Sequence, residues 1–249
     1  MATVSKELSA SLHNQFGDRL LQERPRIVIA PADSDDVKAV LEVARREHFK
    51  LLPLGTGSSF PVNYPRLHDN IIAVLMGALE GSCGGDVFSS WYWAGTKLRR
   101  LAAEYPGLFD GEKQRATLGG FIADQPLSSL TPPLCAFRRL LLSVEAMTAS
   151  GDIEVFAGES TGTVQNLPTS HLLFGSRGNL GILLKVHLRR VMPSCSESSR
   201  ISEKFGTSFV SYSTQPALPR SQLQGLLDPG GLFAWKRDQK VARDASVES

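Results

Sequence analysis

The chain has 249 residues, 42% of them hydrophobic, which is long enough for one large domain or two small ones around a sizeable core. Its net charge of +2 is nearly balanced, and its basic pairs (Arg45-Arg46, Arg99-Arg100, Arg138-Arg139, Arg189-Arg190) are scattered and have no interleaved aromatics. That pattern argues against a nucleic-acid surface. No apolar run approaches the roughly 18 residues of a membrane span, and the first ten residues lack the basic start and apolar stretch of a signal peptide. Cys83, Cys135 and Cys195 are odd in number and without metal-ligand spacing. A reduced, cytoplasmic protein without a metal is expected.

Leu8, Leu12, Phe16 and Leu20 recur every four residues, which predicts an opening amphipathic helix. Arg26 to Ala30, bracketed by Pro25 and Pro31, reads as a short strand. Asp33 or Ser34 can cap the next helix, where Val37, Val40, Leu41 and Ala44 fall at i, i+3, i+4 and i+7. Phe49 to Leu52 is the following strand, and it runs into Pro53-Leu54-Gly55-Thr56-Gly57-Ser58-Ser59. Glycines let the backbone turn sharply and approach a ligand, and successive N–H groups with hydroxyls beside them suit phosphate oxygens. Taken alone, the segment is better explained as a plain turn, because Gly/Ser turns are mostly just turns.

Asn70 to Met76 is another buried strand, and Gly81 to Asp86 reads as a glycine-rich turn. Val87 to Ala94 is β-prone, with Trp91 and Trp93 on one face and Tyr92 on the other. The tryptophans could stack on a ligand ring, but core packing explains them better. Gly95 and Thr96 open a predicted helix with Leu98, Leu101, Ala102 and Tyr105 on one face. Leu140 to Thr148, Ile153 to Phe156 and Ile182 to Val191 read as strands. In the last, Ile182, Leu184, Val186 and Leu188 alternate with Leu183, Lys185, His187 and Arg189, which places His187 on a polar, solvent-facing side. Beyond Pro193 come a serine-rich stretch (Ser194 to Ser202), a strand candidate (Phe205 to Tyr212), a proline-punctuated stretch (Gln215 to Arg220) and a polar tail from Val241 to Ser249.

Two further glycine clusters accompany the first, each readable by itself as a plain turn or loop: Ala116-Thr117-Leu118-Gly119-Gly120, and Phe174 to Ile182 (FGSRGNLGI). Pro31 to Val37 (PADSDDV) and Ala94-Gly95-Thr96 complete an ordered set of motifs spanning Pro25 to Pro193. In this order and spacing the set resembles the FAD-binding domain of the vanillyl-alcohol oxidase/p-cresol methylhydroxylase (PCMH-type) flavoprotein family. That family includes D-lactate dehydrogenases, alkyl-dihydroxyacetone-phosphate synthases and the FAD subunit of glycolate oxidase, the last being nearest in character. The resemblance implies an α+β fold, with FAD between two α+β subdomains at about residues 25–77 and 87–193. An N-terminal helix within 1–24 would precede that domain of residues 25–193. A shortened cap remnant and tail, 194–249, would follow it.

By the same resemblance, Pro53, Leu54, Gly55, Thr56, Gly57, Ser58 and Ser59 would wrap the pyrophosphate. Thr117, Gly119 and Gly120 would line the flavin and diphosphate channel. Gly181 and Ile182 would hold the adenine end through main-chain groups, and Asp124 stands where relatives often carry an asparagine near the flavin. No histidine matches a covalent attachment point, so non-covalent FAD is expected.

The chain departs from the family on the side of the reactive ring. Ser128 to Cys135 replaces the expected glycine, basic residues and Tyr-Gly pair. Gly162 to Pro168 replaces a Lys-Asn…Gly-Tyr-Asp stretch. Leu223 to Phe233 (LQGLLDPGGLF) resembles the family's C-terminal Asp-Pro-x-Gly-x-Phe segment, so the cap looks deleted from within. The roughly 30 residues left between Ser194 and that segment are too few for an independent core. Two functions follow. The chain is either a flavin oxidoreductase acting on a small hydroxy acid or alcohol, or a catalytically silent FAD-binding subunit whose partner supplies the substrate wall. A degenerate domain without flavin is a third, weaker reading. His171 reads as structural near a helix end rather than as a proton carrier, His68 as a loop residue, and Arg138 as a surface residue or a contact for a substrate carboxylate. No catalytic acid or base is assigned.

Overall fold

The computed structural model describes residues 6–22, 27–57, 70–109, 115–126, 131–158, 168–191, 228 and 231–233. Ser58, Ser59, His68, Ser128 to Leu130, Gly162 to Leu167, Cys195 and the four segments expected beyond Pro193 lie outside the described residues, as does Arg26.

The first sheet forms because β2 (Ile27–Ile29), β3 (Lys50–Leu54) and β4 (Ile71–Leu75) are short apolar runs joined across a helix. Strand order is β1-β2-β4-β3, with β4 parallel to both neighbours and β1 (Leu20–Gln22) antiparallel at the edge. Helix α2 (Ser34–Arg46) makes the β2-to-β3 crossover. The Asp33 carboxylate caps it by accepting from the Asp36 N–H at 2.8 Å, and acidic residues in its first turn with basic ones in its last complement the helix dipole. Its stripe of Val37, Val40, Leu41 and Ala44 is fully buried against the sheet. Helix α1 (Lys6–Phe16) adds Leu12 and Phe16 to the same core. Late in the chain, Phe233 bridges Leu51 in parallel, and the buried Asp228 carboxylate accepts from the N–H groups of Leu232 and Phe233.

The second sheet is antiparallel throughout, in the order β5-β6-β9-β7-β8. Its strands are β5 (Ser82–Gly85), β6 (Ser89–Trp93), β7 (Leu141–Met147), β8 (Ile153–Ala157) and β9 (Ile182–Arg189). Helices α3 (Leu98–Leu101), α4 (Leu118–Asp124) and α5 (Pro132–Leu140) accompany it. Their core includes Phe109, Phe121, Phe137 and Phe174, whose rings pack edge-on or tilted with centroids 5.1 to 6.3 Å apart. Met147, Ile182 and Leu184 of the second sheet complete the first core, so the two sheets share an apolar seam.

Four expectations are corrected. Gly81 to Asp86 is mostly strand, because residues 82–85 pair with β6 and form an exposed edge. The helix expected after Gly95 is a single turn. Tyr105 precedes Pro106, which disfavours helical backbone, yet Leu98, Leu101 and Tyr105 are still buried. Gly119 and Gly120 lie inside α4 rather than in a loop, because Thr117 caps that helix. His187 is half-buried rather than solvent-exposed: the register pairs it with Trp91, and the two rings stack at 4.2 Å with 7° between their planes. Burial pushes the His187 pKa down, against the pull of Asp86 and Glu145.

Candidate cofactor site

The C-terminal end of β3 opens into a cleft of about 240 Å³ where the three glycine clusters meet. Pro53, Leu54, Gly55, Thr56 and Gly57 line one wall. Thr117, Gly119, Gly120 and Asp124 line another, and Gly181 closes a third. Ile182 does not line the cleft; it begins β9, fully buried opposite Met147. A larger cavity, about 700 Å³, lies at the other end of β3 beside Arg45, His48 and Lys50, and none of the glycine clusters lines it.

The first wall is built to donate. Gly57 has φ +74°, a left-handed conformation that glycine adopts without strain, and a Cβ there would meet nothing within 4 Å. The N–H groups of Thr56 and Gly57 have no hydrogen-bond partner among the described residues. The loop is held in place from outside. The Thr56 hydroxyl donates to the Arg115 carbonyl at 2.7 Å, and the Gly77 N–H donates to the Gly55 carbonyl at 3.0 Å.

The second wall has already spent its donors. Leu118 N–H donates to the Thr96 carbonyl (2.8 Å), Gly119 N–H to the Ala94 carbonyl (2.7 Å) and Gly120 N–H to Thr117 Oγ1 (3.2 Å). Its glycines serve close packing. A Cβ on Gly119 would lie 3.0 Å from the Ala94 methyl, and one on Gly55 would lie 2.2 Å from Thr117 Oγ1. The two walls therefore touch through absent side chains.

Several lining residues carry no motif signal. Met76, Ala123, Gln125 and Leu183 reach the cleft through tertiary packing. Leu183 sits on the strand face read as polar, but a register irregularity between Glu145 and Ala146 brings it opposite Ala146 and buries it. Arg177, inside the third glycine cluster, also lines the cleft, and its basic charge between two glycines is a signal that composition alone carries.

The remaining candidates lie elsewhere. Arg138 Nη2 and His171 Nε2 face each other at 3.4 Å, away from the cleft lining. Trp91 stacks on His187 and Trp93 lies under the Lys185 ammonium, 5.3 Å from the ring centroid; neither lines the cleft. Among the described residues no cluster of His, Cys, Asp or Glu could hold a metal, and no helix is long and apolar enough to cross a membrane.

An α+β fold with two sheets meeting at a glycine-lined cleft, open N–H donors and left-handed glycine fits a dinucleotide-binding flavoprotein class. A family model described as an FAD binding domain matches residues 25–157, over half of the chain. The protein belongs to this family of FAD-binding domains and carries the FAD-binding fold of the PCMH type. The D-lactate dehydrogenase of Archaeoglobus fulgidus is 25% identical over 227 residues, covering 89% of this chain and 50% of that protein. The chain thus spans about half the length of the curated relative it matches. A solved alkyldihydroxyacetonephosphate synthase, 16% identical, shares the fold with a TM-score of 0.51 over 66% of this chain and 31% of that one.

Proposed function

We propose that the chain holds FAD non-covalently in this cleft, with the Gly55 to Gly57 turn against the diphosphate, and that it serves the oxidation of a small hydroxy acid or alcohol. The observation that carries this reading is the pair of N–H groups on Thr56 and Gly57 with no partner among the described residues, beside the open space left by Gly57. A diphosphate needs several such donors, and this wall supplies them without a Cβ in the way. Non-covalent binding is supported by the lining itself, which includes no histidine or cysteine among the described residues. When bound, FAD supplies the hydride acceptor, while the protein supplies orientation, electrostatics and exclusion of water. The hydroxy-acid class rests on the D-lactate dehydrogenase relative and on the likeness of the motifs to the glycolate oxidase FAD subunit.

A second reading is favoured by one observation. The Leu232-Phe233 segment docks on β3 soon after β9, which leaves too little chain between them for a substrate-covering domain with its own core. On this reading the chain is an FAD-holding subunit whose partner supplies the substrate wall. An absorption spectrum of the purified chain, before and after adding FAD, tests the shared part. Anaerobic addition of D-lactate and other 2-hydroxy acids then separates the two. Bleaching of the flavin band by one of them supports the oxidoreductase. Flavin that light reduces but every hydroxy acid leaves oxidised supports the subunit. A chain that takes up no FAD overturns both.

A further inference from the structure

We propose that Arg177 is the cation that meets the FAD diphosphate in this chain, an inference that rests on the cofactor reading above and adds a side chain to its main-chain donors. Three observations converge on it.

The first is placement. Arg177 lines the cleft, and its N–H donates to the Ala123 carbonyl at 2.9 Å, which fastens it to the last turn of α4. The turn continues through Gly178, where a Cβ would lie 3.5 Å from the Pro53 ring. Arg177 therefore stands between the end of α4 and the strand end that launches the Gly55 to Gly57 turn.

The second is charge. Among the described lining residues, Asp124 and Arg177 are the charged ones. A diphosphate brings negative charge toward the Asp124 carboxylate, and Arg177 is the group on the same lining that can offset it. A guanidinium presents a planar fork of donors that matches phosphate oxygens. This one is exposed and makes no ion pair or side-chain hydrogen bond with a described residue.

The third is conformation. Arg177 has φ +56°, in the left-handed region that favours glycine, and the flanking Gly175 and Gly178 take similar values of +64° and +78°. Backbone geometry alone would be better served by a third glycine. What arginine adds at this position lies in its side chain.

The test measures FAD dissociation constants for wild type, Arg177→Gly and Arg177→Lys at low and high ionic strength, with thermal unfolding alongside. Arg177→Gly relieves the backbone and should unfold at the wild-type temperature or above. It should nevertheless bind FAD on the order of tenfold more weakly at low salt, with the gap narrowing at high salt, and Arg177→Lys should recover most of the loss. FAD affinity of Arg177→Gly within threefold of wild type would overturn the inference while leaving the cofactor reading intact. So would a loss that salt does not change and lysine does not recover. A wild-type chain that takes up no FAD overturns the cofactor reading and this inference with it.

Discussion

Two walls of one cleft are written in nearly the same residues and do opposite things. At Thr56 and Gly57 the N–H groups have no partner among the described residues, and Gly57 takes a positive φ. At Thr117 to Gly120 every N–H after the cap is used within the protein, and the missing side chains let two segments press together. A glycine-rich stretch is therefore not one signal. It marks either a left-handed turn beside open space, as at Gly57, or a close approach that leaves no room for a Cβ, as at Gly55, and only the neighbours decide which.

That contrast can be broken by substitution. The largest effect is expected at Gly57. Its Cβ direction is open, so Gly57→Val should cost only about 1–2 kcal/mol of stability through the positive φ. FAD uptake should be abolished. A Gly57→Val protein that keeps stoichiometric flavin by absorption would remove the distinction between the walls.

Gly55 should behave in the reverse way. Gly55→Ala places a methyl 2.2 Å from Thr117 Oγ1, an overpacking expected to cost about 2–3 kcal/mol in urea unfolding. Thr117→Ala loses the α4 cap and should cost about 1 kcal/mol. Because alanine at position 117 also removes the obstructing oxygen, the double variant should be more stable than the sum of the two losses, by about 1 kcal/mol or more. Strict additivity would mean that the two walls do not meet through Gly55.

The smallest effect is a control away from both walls. Burial holds the His187 pKa below the ordinary 6.5, so the unfolded chain binds that proton more tightly than the folded one. This contribution to stability is complete above pH 6.5 and is lost as the pH falls below it. His187→Phe keeps a ring against Trp91 and should flatten the fall of unfolding temperature below that pH. FAD affinity should not change. An altered flavin affinity would show that the β6–β9 face communicates with the cleft.

Much of the fold was readable from apolar periodicity. The α2 stripe, the buried β4 run and the alternation of β9 follow directly from residue spacing, because burial imposes a period of 3.6 or 2 on any segment with one covered face. Segments whose structure depends on a partner were not readable in that way. Ser82 to Gly85 has no strand propensity, yet it is a strand because β6 offers an unpaired edge. His187 has the pattern of an exposed residue and is covered by a ring from the neighbouring strand.

The same division runs through the site. Sequence alone determined that three glycine clusters follow in a set order, and the first two fall within residues 25–157, the stretch that matches the family of FAD-binding domains. Steric limits on Cβ restrict such positions to glycine, and those limits leave a mark in the letters. Only the tertiary structure decided which donors lack a partner among the described residues, that Thr117 fills the space over Gly55, and that Arg177 lines the cleft next to Gly178, which packs on Pro53. Hydrogen-bond partners and packing neighbours come from residues far apart in the chain, and no local pattern records them.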